Sequence, residues 1–411
     1  MDTTPLVDIA PIARLALLGI VLATGPLAWV WLRHRDATPA RRLHVLTLLT
    51  AFLTFDLIVF GAFTRLTDSG LGCPDWPGCY GHASPIGARA DIHAAQTAMP
   101  TGPVTHGKAW IEMVHRYLAT GVGVLITVMA IVAWVERRRG TPGLPSPWWA
   151  TATLVWVCVQ GAFGALTVTL KLYPAIVTAH LLGGLALLAL LLIQSQRFAP
   201  RALALPARAH AALWALAVLV VVQIALGGWV STNYAVLACP DFPTCHGRWW
   251  PEMDFANAFV LRRELGISAD GSYLPFAALT AIHYTHRLAA YVVLAAMGVV
   301  AALLWRHERR GAVALLALAA WQFASGLTNV VLDWPLPAAL SHTAGAALLV
   351  ALLSVMLTRA ALARAPAGAP VAAPAVRLAG CGGCGPTRDA CDDCRVRSRT
   401  PLRRQRRRGC A

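Results

Sequence analysis

A chain of 411 residues in which 57% of the side chains are hydrophobic and only 13% charged is not a soluble composition, and this excludes a string of two or three soluble domains. The formal net charge of +16 does not indicate a nucleic-acid partner, because the arginines are distributed among loops between apolar runs. Apolar windows of about 20 residues predict nine membrane helices, near 9–32, 43–64, 111–135, 148–170, 174–195, 209–231, 277–304, 312–332 and 336–358. Pro11 and Pro26 interrupt the first, and an N-terminal apolar run also invites reading as a secretion signal. Asp2 and Asp8 stand where such a signal needs basic residues, so it is read as a helix. RHRDATPARR (33–42), ERRRG (136–140), QRFAPRALALPAR (196–208), RHERR (306–310) and TRAALAR (358–364) all fall on one side of this nine-helix arrangement. The positive-inside rule makes that side the cytoplasm. The expectation is a multi-pass protein of the cell inner membrane, N-terminus outside and C-terminus inside.

Two segments are versions of one another: GAFTRLTDSGLGCPDWPGCYG (61–81) and GGWVSTNYAVLACPDFPTCHG (227–247). Cys73 matches Cys239 and Cys79 matches Cys245 at an offset of 166; His115 and Arg116 match His286 and Arg287 at 171; Gln160 and His180 match Gln322 and His342 at 162. The chain is therefore an internal duplication. It divides into an extra N-terminal helix with its loop (1–42), a first four-helix unit (43–208), a second (209–360), and an Ala/Pro linker with a Cys/Arg-rich tail (361–411). The fold class is an all-α integral membrane protein. Both cysteine loops fall on the outer, oxidising face, where Cys73 with Cys79 and Cys239 with Cys245 are candidates for disulfides. Thiol redox chemistry and a bound metal are competing readings; the rigid Pro-Asp-aromatic-Pro turn between the cysteines favours the disulfides. In the tail, Cys381, Cys384, Cys391 and Cys394 form two CxxC pairs only six residues apart. That spacing is short for a zinc ribbon, and a basic tail touching anionic lipid is the alternative.

His115, His180, His286 and His342 sit at repeat-equivalent places: about one turn into the third span, about two into the fifth, two or three into the seventh, and near the start of the ninth. All four spans run inward from the outer face, so the imidazoles share a depth on the order of 10 Å. Two bis-imidazole sites result, His115 facing His180 and His286 facing His342. An imidazole in hydrocarbon is costly unless bonded or ligated, and interhelical hydrogen bonding is the plain alternative to ligation. With two imidazoles per unit and no third ligand, the apolar setting suits haem iron better than zinc. Arg116 and Arg287 are placed either to meet haem propionates or to anchor the outer face. The copies also differ. Glu112 stands three residues before His115 where His283 precedes His286, and Arg65, Asp68 and Ser69 have no counterparts in the second copy. Chemistry is therefore expected in the first unit and a permanent haem in the second. The alternative for Glu112 is a carboxylate bonded to backbone or paired with Arg116. Asp56, inside the second span, is read either as part of a proton path or as an interhelical hydrogen bond. GRWWPEMDFANAF (247–259) is read as a lid or as interfacial anchoring.

TRLTDSGLGCPDWPGCYG, EMVHRYLAT (112–120), QGAFGALTV (160–168), VTAHLLGG (177–184), CPDFPTCHG and HYTHRLAAY (283–291) together resemble the haem A synthase family over about 43–358. The resemblance implies an eight-helix core of two pseudosymmetric four-helix bundles. The implied activity is conversion of haem O to haem A for terminal oxidases, by successive hydroxylations that turn a ring methyl into a formyl group. It further implies that His115 and His180 take the haem O substrate, that Glu112 takes part in catalysis, and that His286 and His342 hold haem b. The outer cysteine pairs match the family's loop cysteines. The implied partners are haem O with the enzyme that supplies it, and membrane lipid; no electron acceptor follows, and a homo-oligomer is compatible. The first helix and the tail depart from the family pattern. A di-haem b-type electron carrier or quinol oxidoreductase, and a duplicated transporter, are the competing functions.

Overall fold

The computed structural model describes residues 10–364; residues 1–9 and the tail with Cys381, Cys384, Cys391 and Cys394 lie outside them. Eleven helices follow in order: α1 (Ala10–Arg33), α2 (Pro39–Leu66), α3 (Arg89–Ala98), α4 (His106–Arg138), α5 (Trp148–Thr169), α6 (Pro174–Phe198), α7 (Ala207–Thr232), α8 (Phe255–Ala258), α9 (Phe276–Leu304), α10 (Arg309–Val331) and α11 (Leu336–Arg364). Nine of these, among the described residues, are long and apolar enough to cross a membrane. The protein is an all-α, multi-pass membrane protein; the described residues hold only three isolated β-bridges, all in loops.

The helices overrun the apolar windows because their ends carry start signals that hydropathy does not register. Thr38 caps α2 by accepting from the Arg41 backbone N–H, with Pro39 in the first turn. Thr105 caps α4 by accepting from the Lys108 N–H, so that helix begins at His106 rather than near 111. His115 consequently lies about two and a half turns below the outer end of α4, not one, by a rise of roughly 1.5 Å per residue. That is the depth of His286 in α9. Two short helices, α3 and α8, occupy outer segments expected to be plain loop.

α2, α4, α5 and α6 close a ring of neighbours, as do α7, α9, α10 and α11; α6 and α11 pack against one another, α6 against α7, and α11 against α2. The described residues belong to one compact unit, with no break near 208. Each ring is solid at its arginine-bearing end. Leu46, Leu125, Ile126, Met129 and Leu191 fill the first, and Leu213, Leu216, Met297, Leu304 and Leu315 fill the second, all of them buried. The histidines lie in the opposite halves, where glycines crowd the helices: Gly61 on α2, Gly164 on α5, Gly183 and Gly184 on α6, Gly227 and Gly228 on α7.

Helix α1 stands outside both rings and packs along α4 and the edge of α2. The contact depends on small residues: a Cβ on Gly19 would collide with Thr120, and one on Gly121 would lie 3.6 Å from Leu22. Gly19→Leu should therefore detach or tilt α1 at a cost of about 1–3 kcal/mol. The expected outcome is a thermal midpoint several degrees lower for the detergent-solubilised protein, with unchanged occupancy of the second ring's histidine site, whose helices α1 does not contact.

Candidate functional site at the glycine-bearing halves of the two helix rings

Each cysteine loop is a tight turn closed by a disulfide, Cys73–Cys79 in one and Cys239–Cys245 in the other. The aspartate of each Cys-Pro-Asp sequence holds the turn. Asp75 accepts from the N–H groups of Tyr80 (2.6 Å) and Gly81 (2.7 Å). Asp241 accepts from those of His246 (2.7 Å) and Gly247 (2.9 Å) and from the Thr244 hydroxyl (2.6 Å). These donors, Thr244 first, hold the Asp241 carboxyl down to about 2. Tyr80 and Gly81 have φ of 50° and 70°, and His246 and Gly247 have 55° and 70°, which is why glycine follows the second cysteine by two residues in both copies. Among the described residues, the one group of three possible metal donors is Cys239, Cys245 and His246, and its sulfurs are spent on the disulfide.

Arg116 and Arg287 each bond the backbone of a cysteine loop. Arg116 Nη1 donates to the carbonyls of Asp75 (3.0 Å), Pro77 (3.2 Å) and Gly78. Arg287 donates to those of Asp241 (2.8 Å), Thr244 (2.8 Å) and Cys239 (3.1 Å). Each guanidinium thus reaches up from its helix and gathers the carbonyls of the loop above, a use of the fork that an ammonium could not match. Glu112 joins this scaffold: its Oε1 accepts from Arg116, and its Oε2 accepts from the Cys73 N–H at 2.8 Å. The carboxylate is 4% exposed, so it is both ion-paired and bonded to backbone, as the structural alternative for it required. In the second copy His283 takes the same place and bonds the Ala235 carbonyl through Nδ1 at 3.0 Å.

Arg65 and Asp68 do not face the first ring's interior. They pair with each other at 3.1 Å; Arg65 also donates to the Ser231 carbonyl at 2.5 Å and lies 4.0 Å over the Tyr234 ring, whose hydroxyl donates to Asp68 at 2.6 Å. Ser231 and Tyr234 are the repeat equivalents of Arg65 and Asp68, at the offset of 166. Residues that touch their own equivalents lie on the axis relating the copies. The loss of Arg65 and Asp68 from the second copy is thus the asymmetry that a heterotypic lock across that axis requires.

The four histidines share one construction. A Cβ on Gly61 would come within 3.0 Å of His115 Cε1, on Gly164 within 3.2 Å of His180, on Gly227 within 2.9 Å of His286, and on Gly326 within 3.3 Å of His342. Each imidazole is therefore seated against the bare backbone of the neighbouring helix. His115 on α4 and His180 on α6 belong to one helix ring, and His286 on α9 and His342 on α11 to the other. Gln160 lies 3.0 Å from His180 Nδ1, Gln223 3.1 Å from His286 Nδ1, and Ser325 2.9 Å from His342 Nδ1. Bracing at Nδ1 leaves Nε2 as the nitrogen available to a metal. Gln223 Oε1 is buried without a partner. Ligation through Nε2 would put the proton of His286 on Nδ1, and Gln223 Oε1 could accept it only in place of the Gln223 Nε2 donation to the His286 carbonyl (3.1 Å). Two neutral imidazoles per ring, glycine-seated and set over an apolar core, fit haem iron and fall short of a zinc shell.

The sequence signal for the four glycines was available in the same offsets, since Gly61 and Gly227 are 166 apart and Gly164 and Gly326 are 162 apart. Gln223 and Ser325 have no such signal, because Leu57 and Phe163 occupy the equivalent places. Asp56 is exposed on α2 and, among the described residues, makes no hydrogen bond, so the interhelical bond expected of it is not formed.

Arg287→Met should leave the carbonyls of Cys239, Asp241 and Thr244 without their donor, at a cost on the order of 3 kcal/mol. The measurement is the rate at which Cys239 and Cys245 become alkylated under mild reductant, expected to rise in this variant while Cys73 and Cys79 keep the wild-type rate. The depressed Asp241 carboxyl contributes stability that is present above its unfolded value near 4 and is lost only as pH falls through about 2. Limited proteolysis of the second loop should therefore proceed no faster at pH 4 than at pH 7, and Asp241→Asn, which removes the charged acceptor at every pH, should speed cleavage at both pH values alike.

The model of the COX15-CtaA family, described as cytochrome oxidase assembly protein, matches residues 44–354, which include both rings and exclude α1. A protein named heme A synthase from Shewanella oneidensis is 39% identical over 309 residues, 74% of this chain and 92% of its own length. Heme A synthases of Methylobacterium radiotolerans and Caulobacter vibrioides are 30% and 28% identical, covering 76% of this chain in both cases and 88% and 94% of their own. The residues that build both histidine sites and both cysteine loops lie within the matched span, and the chain belongs to the COX15-CtaA family of cytochrome oxidase assembly proteins.

Proposed function

We propose that this membrane protein is a haem A synthase: an oxidoreductase that takes haem O and oxidises one ring methyl to a formyl group, giving haem A for cytochrome oxidase assembly. The observation that carries the reading is the twofold set of glycine-seated imidazole pairs, in a chain of this family. The first ring takes haem O between His115 and His180, and the second keeps a haem b between His286 and His342. When bound, the iron supplies the redox chemistry; the chain supplies the remainder. The glycines let the imidazoles stand close to the helix backbones, the leucine and methionine cores close the inner ends to water, and the cysteine loops cover the outer ends.

The division of labour is supported by Glu112, for which the second ring has only His283. Turning a methyl into a formyl group releases protons, and Glu112 is the buried carboxylate one helical turn from His115. Its two oxygens are held by the Cys73 N–H and by Arg116, so a proton taken up at Oε2 comes at the expense of the bond that seats the first cysteine loop. That coupling of carboxylate to loop is specific to the first ring. It weighs against a di-haem electron carrier, in which the two sites would be alike. The arginine-rich helix ends support the cell inner membrane with the N-terminus and both cysteine loops outside and the C-terminus in the cytoplasm.

Extraction and chromatography of the pigments of the purified protein should yield haem B together with haems O and A; two equivalents of haem B alone would indicate the electron carrier, and no haem a transporter. Glu112→Gln, which keeps the side-chain volume and one acceptor, should preserve haem b and the fold while lowering cellular haem A by at least about 100-fold; undiminished haem A would remove Glu112 from the chemistry. His286→Ala should abolish the low-spin haem b spectrum.

A further inference from the structure

Three of the four imidazoles are braced at Nδ1 by another side chain, and His115 is not. Gln160, Gln223 and Ser325 lie 3.0, 3.1 and 2.9 Å from the Nδ1 atoms of His180, His286 and His342. His115 Nδ1 is buried and has no hydrogen-bond partner. The cause lies in the duplication. Gln223 stands one turn before Gly227, the glycine that faces His286; one turn before Gly61, the glycine that faces His115, stands Leu57. The ring's aromatic neighbour is Phe60, stacked with centroids 6.2 Å apart and planes at 14°. Phe60 gives contact area and no hydrogen bond, so no polar contact fixes the ring's rotation in its plane. A side chain held against the second nitrogen of a ligating imidazole fixes the orientation of the ring, and losing such a partner typically lowers metal affinity about 10- to 100-fold.

We propose that His115 is the exchangeable ligand of the first ring, the imidazole that lets go when haem O enters and haem A leaves, and that Leu57 makes it so by withholding the brace Gln223 gives His286. The inference rests on the assignment of substrate to the first ring. A synthase has to surrender its product, and a site with both ligands locked would retain it. The second ring, with Gln223 on one imidazole and Ser325 on the other, is built to keep what it holds. His180, braced by Gln160 at both Nδ1 and its own carbonyl (2.6 Å), remains the fixed ligand on the substrate side.

The test compares full-length wild type, Leu57→Gln and Gln223→Leu, each purified with its haems and mixed with excess apomyoglobin. Transfer of haem O and of haem b is followed by extraction at intervals, and carbon monoxide binding is recorded on the reduced proteins. Wild type should lose haem O faster than haem b, and carbon monoxide should bind the haem O fraction alone. Leu57→Gln should slow haem O transfer about tenfold and suppress its carbon monoxide binding, with haem b transfer unchanged; Gln223→Leu should speed haem b transfer about tenfold and leave haem O as in wild type. A Leu57→Gln protein that takes up haem O and releases it at the wild-type rate overturns the proposal, as does a Gln223→Leu protein with unaltered haem b transfer. Should Leu57→Gln fail to fold, Gln223→Leu decides alone. Retention of haem b with no haem O in any variant overturns the assignment of substrate to the first ring, and the exchangeable ligand with it.

Discussion

The approach of an imidazole to a bare helix backbone is the contact on which the rest of this architecture depends. A histidine inside an apolar helix bundle needs room at the interface and a partner for each nitrogen. Gly61, Gly164, Gly227 and Gly326 provide the room, since any Cβ there would stand 2.9–3.3 Å from a ring carbon. Glycines weaken helices in water, but here the helices are stabilised by packing over long apolar spans, and the loss is local. The solid cores at the arginine-bearing ends, around Met129 and Leu191 in one ring and Met297 and Leu315 in the other, hold the helices apart at a set distance. The glycine-bearing halves then bring the imidazoles close to the helix backbones.

The cysteine loops close those halves through arginine–carbonyl bonds as well as through apolar packing. Arg116 and Arg287 each follow a histidine directly, so the same helix turn that presents an imidazole to the ring presents a guanidinium to the loop above. Position of the loop and position of the ligand are thereby tied to one rotation of one helix. In the first ring Glu112 adds a third element to this coupling, accepting from both Arg116 and the Cys73 N–H. The two rings are joined at their outer ends by Arg65 and Asp68 against Ser231 and Tyr234. A pair of identical residues meeting on the axis would place like charge on like charge; divergence of the copies replaced that with a salt bridge, a hydroxyl and a cation over an aromatic face.

Much of this was legible in the amino-acid sequence because duplication makes signals repeat. Hydropathy located all nine apolar helices, and the offsets of 166, 171 and 162 located the cysteines and the four histidines. What was not legible followed from side-chain direction. Arg116 and Arg287 were expected at propionates or at the outer surface, yet spacing along a helix cannot tell a ring-facing guanidinium from a loop-facing one. The start of α4 was placed five residues late because Thr105 caps polar helix residues that hydropathy excludes. Arg65 and Asp68 were taken as remnants of chemistry because a sequence read repeat by repeat does not reveal that the two copies touch at those positions.

The difference between the copies therefore has two physical origins that need separating. Some of it is geometry at the axis: two copies in contact cannot both carry Arg65, and Ser231 and Tyr234 are what the other side has to be. The remainder is at Glu112 against His283 and at Leu57 against Gln223, where the polar side chains bond within their own copy. Both of these differences bear on the same helix turn of α4 and its facing glycine on α2. Both set the first site apart from the second: a carboxylate is coupled to the covering loop, and one imidazole is without a brace. Differences that the symmetry axis does not impose, and that converge on one imidazole, are best explained by what that imidazole has to do.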